Sequence, residues 1–188
     1  MPNGQSGFSL IEVLIAIIIL SIGMLGAVGM QAAALKSNKE ARNQATATTF
    51  GRELAEKMRG NKAIAITTTT SINPYLFDAT LSSTPAVATP SPNCADSSIS
   101  CTAAQIGSWD VADWQSRVQT ALPTPRVKVC FDQTPFSSAG LPQWACTNTG
   151  DIAILKMGWN RSNTAGTIDF VATGVPVVVL PVTAGSSQ

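Results

Sequence analysis

Histidine is absent from this chain of 188 residues, and with it go the commonest general base near neutral pH, the usual catalytic triads and the commonest metal ligand. There is no Gly-x-Ser-x-Gly elbow and no glycine-rich phosphate loop. Asp110 and Asp113 stand three apart, but capping a helix is the expected job for such a pair. The expectation is a protein that is not an enzyme, with no catalytic residue, no cofactor and no small-molecule substrate. A charge excess is lacking too. Twelve Lys and Arg face 11 Asp and Glu, which gives no basic field of the kind that attracts nucleic acid or acidic lipid over a whole surface. Nucleic acid is not an expected partner.

Charge is also missing from Val13 to Leu35. At about 1.5 Å per helical residue this run can cross a hydrocarbon core about 30 Å thick. Ile15, Ile17, Ile18, Ile19 and Leu20 follow almost without interruption, so every face is apolar and the helix reads as lipid-facing rather than amphipathic. A secretory signal places its small-residue cleavage site after a shorter apolar stretch. Here the small residue, Gly7, stands before the run, and cleavage there would leave the anchor on the protein.

One carboxylate interrupts the start of this segment. Glu12 lies between Ile11 and Val13, where a charge costs about 2.5–3.5 kcal/mol at a membrane centre and less near its edge. Cutting after Gly7 would free an α-amine on Phe8, four residues before Glu12 and on the same helical face. That amine, from the same chain or a neighbour, is a candidate counter-charge, with snorkelling of Glu12 to the interface as the plain alternative. Pairing between chains would make burial of Glu12 drive assembly.

The succession Gly7-Phe8-Ser9-Leu10-Ile11-Glu12-Val13-Leu14-Ile15 closely resembles the class III signal of type IV pilins and type II secretion pseudopilins. The resemblance implies that a prepilin peptidase cuts between Gly7 and Phe8 and N-methylates Phe8, and that Glu12 pairs with a neighbouring subunit's N-terminus. It further implies other pilins as filament partners. The expected location is the bacterial inner membrane with a periplasmic head before assembly, and a cell-surface pilus afterwards. Two features pull the other way. Residues 1–6 carry no Lys or Arg, and Lys36, Lys39 and Arg42 follow the apolar run, where the positive-inside rule would hold them in the cytoplasm. The motif and the cysteines outweigh that count, because long domains translocate largely regardless of nearby charge.

Beyond Leu35 the helical pattern continues, with Phe50, Leu54 and Met58 recurring every four residues. Gly60-Asn61 supplies a stop, preceded by Lys57 and Arg59, which suit a helix C-terminus. A helix from about Ser9 to Arg59 would run about 75 Å. Gly23, Gly26 and Gly29 each weaken it by about 1 kcal/mol relative to alanine, either to allow close helix contact or to ease local unwinding in a filament.

From Ala63 to Ile106, with Thr67 to Ser71 all hydroxylated and Pro85, Pro90 and Pro92 among Ser, Thr and Ala, the composition is that of loops. Ser108 to Leu122 places Val111, Trp114, Val118 and Leu122 on one face before Pro123, predicting a short helix from Ser108 or Asp110. Strands are predicted over Arg126 to Phe131, Asp151 to Trp159, Thr167 to Thr173 and Val175 to Val182. Pro176 and Pro181 make the last an edge strand or a partial one. The fold class expected is α+β: a long N-terminal helix packed on a small antiparallel sheet, as in type IV pilins. The division is a cleaved leader 1–7, a membrane and filament-core half-helix 8–35, its amphipathic continuation 36–60 and a head 61–188.

Four cysteines allow three pairings. Cys94 with Cys101 and Cys130 with Cys146 is favoured, because each closes a modest loop around turn-rich sequence. Zinc is the rival, but neither spacing resembles a Cys-x-x-Cys knuckle and histidine is missing, so no metal is expected. Disulfides point to an oxidising space outside the cytoplasm. The run Glu53-Leu54-Ala55-Glu56-Lys57-Met58-Arg59-Gly60-Asn61 is similar to the helix ending of the PilV group of minor pilins. So is the later order of a Trp-bearing helix ending in Leu-Pro, a Val-Cys strand, a second Cys and a strand closing on Gly158-Trp159. That resemblance implies a minor subunit that helps start pilus assembly, enters the filament at low level and supports adhesion or twitching motility. The alternative is a minor pseudopilin of type II secretion.

Overall fold

A computed structural model describes residues 9–162, 168–169, 174–182 and 184. In chain order its elements are α1 (Leu10–Gly60), α2 (Lys62–Ala65), β1 (Phe77–Thr80), α3 (Ala103–Ala121), β2 (Arg126–Phe131), β3 (Ala153–Gly158), β4 (Arg161–Ser162), β5 (Ile168–Asp169) and β6 (Val178–Pro181). The architecture is mixed α+β, a long N-terminal helix and a small antiparallel sheet. Two compact units share α1, Met1–Arg42 and Asn43–Gln188.

In the first unit, α1 has no interior proline to remove a backbone donor, and its residues from Leu10 to Lys39 are exposed all round. Ser21 satisfies its hydroxyl within the helix, donating to the Ile17 carbonyl at 2.7 Å.

The second unit is built on the last third of α1. Ala47, Leu54 and Met58 are fully buried, the predicted four-residue stripe extended back by alanine, with Phe50 partly buried beside them. They join the inner face of a four-stranded sheet of order β1-β2-β3-β6, in which every neighbouring pair is antiparallel. Register sets the two faces, because partners across strands share a side. Phe77, Val129, Leu155 and Leu180 make one inward row, and Ala79, Val127, Met157 and Val178 the next. Gly51 meets this face where a side chain would not fit: an added Cβ would come within 2.6 Å of Leu180 Cδ1 and 3.2 Å of Leu155 Cδ2.

Helix α3 covers the other side of α1's last turns with Val111, Trp114 and Val118 buried. Trp114 is wholly enclosed, and its indole N–H donates to the Phe50 carbonyl at 2.9 Å, which satisfies the one polar atom of a large apolar ring. The helix starts earlier than Ser108. Thr102 is the N-cap: its hydroxyl accepts from the Gln105 N–H at 3.3 Å, and the Gln105 side chain accepts from the Thr102 N–H at 2.8 Å. This reciprocal box satisfies two otherwise orphaned donors. Thr102→Ala is expected to cost about 1 kcal/mol of unfolding free energy, measurable as a lower urea midpoint with unchanged slope. Asp110 and Asp113, expected to cap, instead sit inside α3. Asp110 accepts from Lys57 at 3.0 Å and from the Tyr75 hydroxyl at 2.7 Å, and Asp113 pairs with Arg117 at 2.9 Å.

Four expectations, one of a loop and three of strands, need correction. The stretch read as loop holds β1, and α2 follows directly on α1 after Asn61. Strand β3 begins at Ala153 rather than Asp151 and does not alternate, all six residues being buried. Of the predicted strand Thr167 to Thr173, Ile168 and Asp169 pair with Arg161 and Ser162 in a separate ribbon, and the rest lies outside the described residues. Val175 to Val182 shortens to Val178–Pro181, at the edge of the described sheet beside β3.

Candidate functional site: an assembly stem and a clasped loop

Two features bear chemistry, one in each unit. On the stem, Glu12 lies in the first turn of α1, its N–H donating to the Ser9 carbonyl at 3.0 Å. A carboxylate suits that position, because the first turn presents unpaired N–H groups and the positive end of the helix dipole. Gly7 and Phe8, the expected cleavage pair, lie outside the described residues. On either side of Glu12 the helix presents Leu10 (87% exposed), Ile19 (65%) and Leu25 (74%) among a continuous apolar surface. That surface far exceeds the few hundred Å² a soluble monomer tolerates. This is the one helix among the described residues long and apolar enough to cross a membrane.

In the second unit the outer face of the sheet carries charge. Asp78, Lys128 and Lys156 stand opposite one another across β1, β2 and β3, and two lysines side by side repel unless each has its own anion. Asp78 serves Lys128 at 3.2 Å and Arg126 at 3.1 Å. Burial would raise the Asp78 carboxyl, but hydrogen bonds from Arg126 and Lys128 hold it below the usual carboxylate range. Lys156 has a different solution. It is fully buried and pairs with the equally buried Asp132 at 2.5 Å, while also donating to the Ala145 carbonyl.

Asp132 in turn accepts from the backbone N–H groups of Thr134 at 3.1 Å and Thr147 at 3.2 Å. Burial pushes its carboxyl up. The Lys156 ammonium and those two N–H donors outweigh burial and hold it low. The structure joins Cys130 to Cys146, so the disulfide and the Lys156 clasp tie together the same two ends of the segment between them. This segment lies over β3, which is why that strand is buried on both faces. Cys94 is bonded to Cys101 ahead of α3. Cys130, Asp132 and Cys146 cluster closely enough to suggest a metal, but both sulfurs are spent in the bridge and a disulfide is no thiolate ligand.

Thr68 and Thr70, from the hydroxylated run, help line an open cavity of about 240 Å³ beside Asp78, Lys128 and Asn148. Ligand sites usually span about 300–1,000 Å³, and both charged groups here are already paired.

Sequence reasoning singled out Glu12 and the four cysteines but not Lys156 and Asp132. One lysine in an alternating strand reads as solvent-facing, and the segment that covers it lies elsewhere in the chain. Residues 2–28 match the model of the prokaryotic N-terminal methylation motif, and residues 29–112 match that of the type IV pilin Tt1218 family. No curated protein and no solved structure matches the chain significantly.

Proposed function

We propose, for a chain that belongs to the type IV pilin-like prepilins and is a structural subunit rather than an enzyme, the role of a minor pilin that helps initiate pilus assembly. It enters the filament at low level and supports adhesion or twitching motility. The observation that carries this reading is the single helix α1, exposed from Leu10 to Leu35 with Glu12 as the one charge in that span, continuing into a head closed by two disulfides. Exposed apolar surface of that extent is stable in lipid or against other copies of such helices, and not in water. A pilin subunit uses both environments in turn. On this reading residues 1–7 are the leader, 8–35 the membrane and filament-core segment, 36–60 its amphipathic continuation and 61–188 the head. Prepilin peptidase cuts between Gly7 and Phe8 and methylates Phe8, and Glu12 pairs with a neighbouring pilin's amine. The head waits on the periplasmic side of the inner membrane.

Mass spectrometry of protein purified from its natural host should show methylated Phe8 as the first residue. Deletion of the gene should reduce surface piliation and twitching while leaving exoprotein secretion intact. Retention of Met1 would overturn the processing assignment. A secretion defect with normal pili would replace the minor pilin by a pseudopilin of type II secretion.

A further inference from the structure

Three cations follow the apolar stem where the positive-inside rule disfavours them for a translocated head, and the proposed function leaves them without a task. Lys36, Lys39 and Arg42 lie on α1 and all three are exposed. Steps of three residues turn a helix back by about 60° each, so the three share an arc of about 120°. Glu40 is the one acidic residue between Glu12 and Arg42, which leaves this collar with an excess of positive charge.

Its height along the helix matters as much as its charge. From Val13 to Leu35 the charge-free run spans about 35 Å, slightly more than a hydrocarbon core of about 30 Å, and the headgroup layers extend the bilayer to about 40–45 Å. With Val13 at one edge of the core, Lys36 falls in the far headgroup layer and Arg42 about 9 Å beyond it. Helical side chains lean toward the N-terminus, so the long stems of Lys39 and Arg42 reach back toward the membrane.

We propose that Lys36, Lys39 and Arg42 form a collar that binds the phosphates of anionic phospholipids where the stem leaves the bilayer. The collar fixes how deeply the subunit sits before assembly, and the charges that oppose translocation become the ones that hold the subunit in place afterwards. The inference rests on the membrane-held state proposed above.

The test uses the full mature chain in phosphatidylcholine bilayers, with spin-labelled phosphatidylglycerol or spin-labelled phosphatidylcholine as probe. The motionally restricted fraction of each gives its relative association. Phosphatidylglycerol is expected to associate about fivefold or more over phosphatidylcholine, since one basic residue near a membrane surface is worth about that factor. The preference should shrink as salt is raised and fall to near unity in K36Q/K39Q/R42Q. Inorganic phosphate should leave it unchanged relative to chloride at equal ionic strength. Equal association of the two lipids with the native chain would overturn the collar, as would an undiminished preference in the triple variant. So would selective loss of the preference in inorganic phosphate, which would mark a free-anion site. Absence of restricted lipid of either kind would instead overturn the membrane-held state itself.

Discussion

Glu12→Ala is expected to leave peptidase processing and membrane residence intact while lowering incorporation into filaments at least about tenfold. The substitution makes the start of the stem more apolar, so its stability in lipid does not suffer. What is lost, on the proposed pairing, is the counter-charge for a neighbouring subunit's α-amine. Truncating one partner of a desolvated charge pair typically costs about 2–5 kcal/mol, and 1.4 kcal/mol is already a factor of ten. The measurement is quantitative immunoblotting of sheared pili against the membrane fraction, with mature N-termini verified in both. Wild-type levels in the pili would remove Glu12 from assembly and return it to a snorkelling role.

The second large effect belongs to the head. Lys156→Met should lower its unfolding free energy by about 3–5 kcal/mol, because removing one partner of a buried pair strands the other charge. Asp132→Asn combined with Lys156→Met should recover much of that loss, since no charge then stays buried alone. Tryptophan fluorescence of the full chain in detergent during urea denaturation follows both. The pH dependence gives a sharper test. In the native protein Asp132 is held below the usual carboxylate range. Its contribution is therefore complete above the unfolded value of about 4 and is lost as pH falls through the lower folded value. In Lys156→Met the ammonium's part of that lowering is gone while burial and the two N–H donors remain, so less stability is lost as pH falls below about 4. Identical pH profiles for the two proteins would mean that the clasp contributes nothing.

What could be read from the chain divides along a physical line. Patterns that express themselves within one helix were legible: the charge-free run with Glu12 at its start, the stripe through Leu54 and Met58, and the face of Val111, Trp114 and Val118. Helix α3's true start was legible in principle, because Thr102 and Gln105 spell a capping box, but Ala103 and Ala104 carry no apolar periodicity to draw attention to it. Strand β1 was not legible. Phe77-Asp78-Ala79-Thr80 is short and follows a hydroxyl-rich loop, and its strand character comes from pairing with β2, about 50 residues away in register. Lys156 was hidden for the same reason, since its burial depends on a segment folded back over the sheet through Cys146 and Ala145. Sheet partners and covering loops are decided by distant residues, and a local pattern cannot contain them.

The pairing of the cysteines has one more consequence. Each bridge joins neighbours in sequence, seven and 16 residues apart, and neither loop encloses a cysteine of the other pair. A head threaded into an oxidising compartment from its stem-proximal end presents Cys94 and Cys101 together, and only later Cys130 and Cys146. Oxidation in order of arrival thus yields the native bridges directly, with no wrong bond to be undone by later shuffling.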